Sequence, residues 1–593
     1  MRRMGTVLKR KSVTGLAAVL TAAAMVATAC TGGNGGDGEA RGWEDCSEDP
    51  NTCNSGERAE GGEITWMVNS VPGAWSLISP EGGSVYTSQM LEGVLPYVGQ
   101  WAPDGETYEH NMDLLAEEPE LLGEDPFRFQ FKLRPEAVWD DGTPITADDF
   151  EVTWKMATSP AEGHCDGCTS RSPEEYDNVE KVEGSDDGKT VTVTLKEGKA
   201  NPEWFGFLDA HGISGGLHPA HLAEEQGLDV DDPKDLGEYF QWLNGTRPEY
   251  SGGPYKIVEG DLERQVIKEP NENYYGTTKP TLDKVIIRFI QDESTWVPAL
   301  SNGEIDGGNP AQYNADIIEQ IKGMGTVYFD IGPGPSWEHI DLNTENKWLK
   351  DVELRRAIFT AIDVSEIAER NFGAGFPDFK VKTNHVFSAD SPYHQDLISE
   401  TGQGSGDVEA AKKILTDAGY ELDGDTLTKD GDKVGPFRLR ATDTVTRSTS
   451  MQIIQSQLSD IGVTTNIEVT DDLGAMLGGQ DYDIAQFGWS GNPFFTSSPS
   501  QYWHSESGSN FGKYSNEKVD ELVEKVQAAT TLDEAAEYAN QAAELVVQDA
   551  YVLPILHEPN YAFVNEGYVN IRDNRQSGNR AQYNIGAWGQ VAE

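Results

Sequence analysis

Gly212-Ile213-Ser214-Gly215-Gly216 has the GxSxG spacing of a nucleophilic serine, which would attack an acyl carbon once a nearby base took its proton. That chemistry requires a sharp strand-to-helix turn. The Gly216-Leu217-His218-Pro219 that follows reads instead as a loop entering a helix. His218 and His221 are three apart and could reach one metal ion, but Pro219 and the lack of a HExxH-type acid favour a capped loop. Asp423, Asp425, Asp430 and Asp432 suggest calcium. Their spacing is not that of an EF-hand, and Gly424 and Gly431 mark two hairpin turns. No phosphate loop or dinucleotide fingerprint is present, so no cofactor is expected. A secreted serine hydrolase acting through Ser214 remains an alternative to a non-enzymatic binding protein.

Cysteine is the other reactive type. Cys165-Asp166-Gly167-Cys168 has redox or zinc spacing but lacks a second ligand pair. With Cys46 and Cys53 it makes an even set in an exported chain, which suggests two disulfides. The local pairs 46–53 and 165–168 are simplest; cross-pairing is allowed. The fifth cysteine, Cys30, follows a basic leader and the small apolar run Gly15 to Ala29, the layout of a secretory signal peptide. Ala27-Thr28-Ala29-Cys30 resembles a bacterial lipobox with Ala27 where Leu is usual, so Cys30 is the expected lipidation site. Residues 30–62, rich in Gly and acid, read as a flexible linker. This layout places the protein on the outer face of the bacterial cytoplasmic membrane, held only by its lipid.

The chain carries 45 basic and 100 acidic residues, a net charge of −55. A polyanion would be repelled over most of such a surface, which excludes nucleic acid as a partner. With 37% hydrophobic residues the body can bury a large core.

The elements alternate between periods of two and 3.6. Residues 64–69, 127–133, 190–195, 284–290 and 464–469 read as strands. Helices are expected over 294–301, 354–369, 408–418, 452–460, 517–529 and 532–550. Thr146-Ala147-Asp148-Asp149 should cap another, close to a capping box. The mixture implies an α/β body.

Several segments in order resemble the peptide/nickel-type solute-binding proteins of ABC importers. Phe129-Gln130-Phe131-Lys132-Leu133-Arg134 leads to Val138-Trp139-Asp140-Asp141-Gly142-Thr143-Pro144 and Asp148-Asp149-Phe150. Gly252-Gly253-Pro254-Tyr255, Asn271 to Gly276, Gly303-Glu304-Ile305-Asp306, Arg355-Arg356-Ala357-Ile358, Ala418-Gly419-Tyr420 and Tyr482-Asp483 follow. The resemblance implies a periplasmic-binding-protein-like two-lobed, Venus-flytrap fold with an additional inserted subdomain. Lobe I is expected over 63–326, including a subdomain near 85–245, and lobe II over 327–557. Residues 558–593 return to lobe I, with crossovers near 326–336 and 553–562. It also implies a monomer that captures oligopeptides between its lobes and delivers them to a permease; a sugar oligomer or metal chelate is the alternative cargo.

A cleft for varied solutes needs aromatic walls and a few polar handles. In peptide-binding relatives the corresponding strand end carries a Trp and then an Asp that pairs with the peptide's amino terminus. Trp489 fits the first position, while Gly491 and Asn492 stand near the second, where an amide supplies no ion pair. Arg447 lies where some dipeptide-binding relatives clamp a carboxylate. Trp75 and Ser76 sit in the first Pro/Gly loop, which faces the cleft in relatives. Trp139 is read as core.

Overall fold

In this computed structural model the described residues are 41–592, apart from 43–45, 47–48, 172, 174, 211, 213, 490 and 492–493. Cys30, the leader and Asn492 lie outside them.

One eleven-stranded mixed sheet runs through the body. Its order is Thr465–Thr470, Phe437–Thr442, Ile484–Trp489, Val327–Leu342, Val552–Asn565, Gly307–Gly308, Glu63–Val68, Lys284–Phe289, Gln265–Pro270 and Tyr255–Asp261, with Arg41–Gly42 also paired to Val327–Leu342. Lys284–Phe289 shows how sequence becomes position: Val285, Ile287 and Phe289 turn inward while Lys284, Ile286 and Arg288 alternate outward.

Two strands are far longer than the rest. Val327–Leu342 and Val552–Asn565 pair antiparallel from Val327↔Asn565 to Asp341↔Val552. One end of this ribbon belongs to the first lobe, where Trp66, Val285, Ile287, Ala562 and Val564 share a core. The other end belongs to the second, where Ile340, Leu342, Leu439, Ile484 and Ile555 do. The register shifts between Pro333 and Trp337, which pair with Pro559 and His557. Gly334, Pro335 and Ser336 thus oppose the single residue Glu558. A bulge of this kind locally frees and bends a ladder.

A separate four-stranded sheet, Glu120–Glu124, Phe127–Lys132, Thr190–Leu195 and Val179–Gly184, forms its own core with the helices Ala147–Ala157 and Pro233–Gly245. Phe127, Phe129 and Phe131 supply one face, and Trp139 is fully buried there. Thr146 and Asp149 form the capping box. Asp149 also accepts the Ala220 N–H at 2.8 Å, so this acid ties a helix start to a distant loop; burial lifts its pKa to about 6.

The stretch 354–369 is two helices, Val352–Ala361 and Val364–Phe372. Ile362 turns extended, and the Asp363 carboxylate caps the second helix by accepting the Glu366 N–H at 3.0 Å. An aspartate that satisfies free N–H groups starts a helix better than it continues one. Gly424 and Gly431 have φ of +65° and +83°, at the ends of the hairpins joining Tyr420–Asp423, Thr426–Lys429 and Asp432–Lys433.

The start of the described chain is laced to its end. Cys46 and Cys53 are bridged, as are Cys165 and Cys168. Asn54 donates to Ile571 O at 2.7 Å and receives the Asn570 N–H at 2.7 Å, and Ala59 N–H reaches Gln590 O at 2.8 Å. Among the described residues no helix is long and apolar enough to cross a membrane.

Candidate interlobe binding site

The second-lobe strand Ile484–Trp489 lies antiparallel to Val327–Leu342 and ends with Trp489 opposite Trp337. Trp489 is half-buried. It stacks nearly parallel on Phe511 (5.9 Å) and His339 (6.0 Å), and packs against Tyr502 at 4.5 Å. The rings lock its orientation while part of its surface stays open to solvent, which makes a rigid aromatic shelf.

Two glycines bring backbones close beside this shelf. A Cβ on Gly491 would lie 1.9 Å from Pro335 O, in the bulge of the first long strand. A Cβ on Gly488 would lie 2.8 Å from Glu338 Oε1. The missing side chain at 488 leaves room for an ion pair. Arg447 engages Glu338 with both prongs, Nε to Oε2 at 3.2 Å and Nη2 to Oε1, and a third bond goes to Thr442. Its guanidinium is therefore already occupied by a carboxylate of the protein.

Glu338 also accepts from Gln486 Nε2 at 3.0 Å, and Glu558 lies against it from the other long strand. Burial, and then the Glu338 charge, raises the Glu558 carboxyl to about 7. Lys382, which contacts the neighbouring strand residue His557, is buried with no carboxylate partner among the described residues. Its Nζ meets Phe387 O at 3.2 Å and His557 Nε2 at 2.9 Å, and lies 5.4 Å from the Trp337 ring centre. Burial lowers it to about 7 and holds His557 and His385 well below the usual histidine range. At this joint the Glu558 carboxyl and the Lys382 amine titrate near neutrality, while His557 and His385 stay uncharged.

The lobes meet again away from the ribbon. Glu203, beside the small sheet, receives the Phe495 N–H at 2.8 Å, the Thr496 N–H at 3.4 Å and the Thr496 hydroxyl from the second lobe. Nearby, Phe494 packs edge-on to Trp101 (5.6 Å) and tilted against Phe205 (6.1 Å).

Of the residues singled out from sequence, Trp489, Gly491 and Arg447 converge here. Trp75 does not present a free ring: it is buried in the first-lobe core, and its backbone N–H bonds Asn244 O at 3.0 Å. Ser76 is buried beside it. The loop turns its apolar side inward because its neighbours Ala74, Leu77 and Ile78 are buried too. Ser214 is buried with its Oγ accepting the Gly216 N–H at 3.4 Å. His221 reaches Asp141 at 3.0 Å while His218 is enclosed. Among the described residues no group of three or more His, Cys, Asp or Glu could hold a metal ion. Sequence reasoning missed Glu338, Lys382 and Glu203. The usable signal for the first was an acid amid the apolar strand Trp337-Glu338-His339-Ile340.

Comparison with known proteins agrees with this architecture. Residues 112–511 match the profile for bacterial extracellular solute-binding proteins, family 5 middle region. The oligopeptide-binding protein OppA of Mycobacterium tuberculosis is 28% identical over 525 residues, covering 86% of this chain and 82% of that one. The oligopeptide-binding protein AppA of Bacillus subtilis is 23% identical over 599 residues, 98% and 99% of the two chains. Among solved structures, a periplasmic EDTA-binding protein, EppA, superposes with a TM-score of 0.82 at 29% identity, over 92% of this chain and 99% of its own.

Proposed function

Because the chain belongs to the bacterial extracellular solute-binding proteins of family 5, we propose that it captures oligopeptides between its two lobes and hands them, unaltered, to the permease of an ABC importer. The observation that carries this reading is the pairing of one bulged two-strand ribbon with a separate interlobe contact. A single flexible joint plus a distant, breakable seam is what a closing receptor requires. Lobe I would comprise 63–326 with the small-sheet subdomain, lobe II 327–557, and 558–593 the return to lobe I. Trp489 would stack on a side chain or peptide plane, and Gly491 and Asn492 would offer backbone and amide bonds. The protein would work as a monomer, tethered by lipid at Cys30.

Asn492 in place of an acid, together with a 29% identical EDTA-binding neighbour, favours a second reading in which the cargo is an anionic chelate. The two readings separate by experiment. Native mass spectrometry of the purified protein identifies co-purifying cargo, and calorimetry then ranks peptide libraries against metal-free and nickel-loaded EDTA. Peptide binding with X-ray scattering that becomes more compact supports the first reading. Chelate binding alone supports the second, and neither with full folding refutes both. Trp489→Ala should weaken whichever cargo binds by roughly tenfold or more, since a buried aromatic anchor contributes above 1 kcal/mol.

A further inference from the structure

The hairpin Gly99–Trp101/Tyr108–His110 divides two different environments. Trp101 and Tyr108 face Phe494 of the second lobe. Their neighbours Gln100 and Glu109, paired directly across the strands, point the other way because side chains alternate along a strand. On that other side lies a hollow of about 370 Å³ within the first lobe. This is inside the size range of small-molecule sites.

Its walls come from five stretches of the chain: 92–100, 109–113, 252–254, 274–278 and 583–587. Close approach requires glycine, since a Cβ on Gly253 would sit 2.3 Å from Gly93 O. Four tyrosines, Tyr97, Tyr274, Tyr275 and Tyr583, face the space, with Pro96 and Ile585 as apolar surface. Three acids line it and, among the described residues, no lysine or arginine does. Gln100 Oε1 is buried with no hydrogen-bond partner among the described residues, whereas the His110 ring packs against Tyr108 and Phe205 on the opposite face of the hairpin.

The nearby charges are accounted for as follows. Glu92 is deepest, bonded by Asn579, and its buried neighbour Lys268 donates to the Glu92 carbonyl at 2.7 Å. Asp113 accepts from Thr277 N–H and hydroxyl at 2.8 and 2.9 Å, with Arg134 at 3.9 Å. Glu109 is at the rim, within the influence of Arg572 and Asp104. Lys279 lies outside, 5.4 Å from the Tyr274 ring centre. What the hollow itself offers is four tyrosine rings, a rim carboxylate and the unpartnered Gln100 Oε1.

We propose that this hollow binds a small organic cation, an alkylammonium or quaternary ammonium head with a short apolar tail, at a site separate from the interlobe cleft. Aromatic faces and a carboxylate attract such a head, and it sheds its water more readily than a metal ion does. The tail would lie on Pro96 and Ile585. The inference stands apart from the identity of the cargo.

The test is calorimetry on the full mature protein with n-butylammonium and tetramethylammonium chlorides, at ionic strength matched with sodium chloride, and with neutral n-butanol as control. Saturable binding of either cation, with butanol at least tenfold weaker, is expected. Glu109→Gln at the exposed rim should weaken it about three- to tenfold, and Thr278→Trp, which fills the mouth from an exposed position, should abolish it. No saturable binding, equal binding of butanol, or indifference to both variants overturns the proposal. So does competition with interlobe cargo, which would mean that the cation enters the cleft. Cargo binding measured on the same samples keeps the two readings distinguishable: its persistence without cation binding removes only this inference.

Discussion

Replacing Lys382 with Met should change stability in a way that reverses sign with pH. Its pKa is lowered from 10.5 to about 7, chiefly by burial. Below pH 7 the lysine is charged in both the folded and unfolded chains, and the folded one bears the whole cost of enclosing that charge. At about 1.4 kcal/mol per pH unit, this fall corresponds to about 5 kcal/mol as an upper bound. Between 7 and 10.5 the unfolded chain holds a proton that the folded one lacks, so wild-type stability rises with pH across this window. Met removes the charge but leaves Phe387 O and His557 Nε2 without their donor, a loss of about 1–3 kcal/mol. Lys382→Met should therefore be more stable than wild type by about 2–4 kcal/mol at pH 6, and less stable by about 1–3 kcal/mol near pH 10.5. His385 and His557, depressed by the same burial, stay neutral in the window, and the Glu558–Glu338–Arg447 group is common to both proteins. Urea unfolding followed by tryptophan fluorescence across this range is the assay. A difference that does not vary with pH would refute the reasoning.

Arg447→Met should destabilise the fold by about 3–5 kcal/mol at pH 8, because Glu338 and Glu558 would be left enclosed without their cation. The loss should shrink below pH 7, where Glu558 is protonated; thermal unfolding at both pH values checks this. Glu203→Ala removes the acceptor of three second-lobe donors. Closure should weaken by about 1–3 kcal/mol, seen as roughly five- to 150-fold lower cargo affinity with a larger radius of gyration by X-ray scattering. Asp363→Ala should cost about 1 kcal/mol in chemical denaturation through the lost cap, without altering cargo affinity.

The two-lobed α/β fold was legible because its cues are local. Alternation in Phe127–Lys132, the Thr146–Asp149 box and the glycine turns at 424 and 431 each act within a few residues. The break at Ile362 was missed: Asp363 and Glu366 have capping spacing, but helical periodicity on both sides made 354–369 read as one helix. The site was harder. Trp489 stands out as an aromatic strand end beside glycine. The partner that occupies Arg447 is 109 residues away, and Glu203 meets Thr496 across 293. Such pairings depend on how the lobes fold back on one another, which no short window encodes. Trp75 misled for a related reason: whether a loop tryptophan faces water is decided by residues such as Tyr255 and Ile571, which share its core from the far side of the lobe.

The lacing of residues 51–59 to 570–592 has a mechanical consequence. A load applied at the beginning of the chain passes through the 46–53 bridge and those hydrogen bonds into the C-terminal strap of the first lobe, without crossing the bulge opposite Glu558. In the proposed closure the first lobe can be held fast while the second moves, so whatever restrains the N-terminus would set the direction in which the mouth points without loading the joint itself.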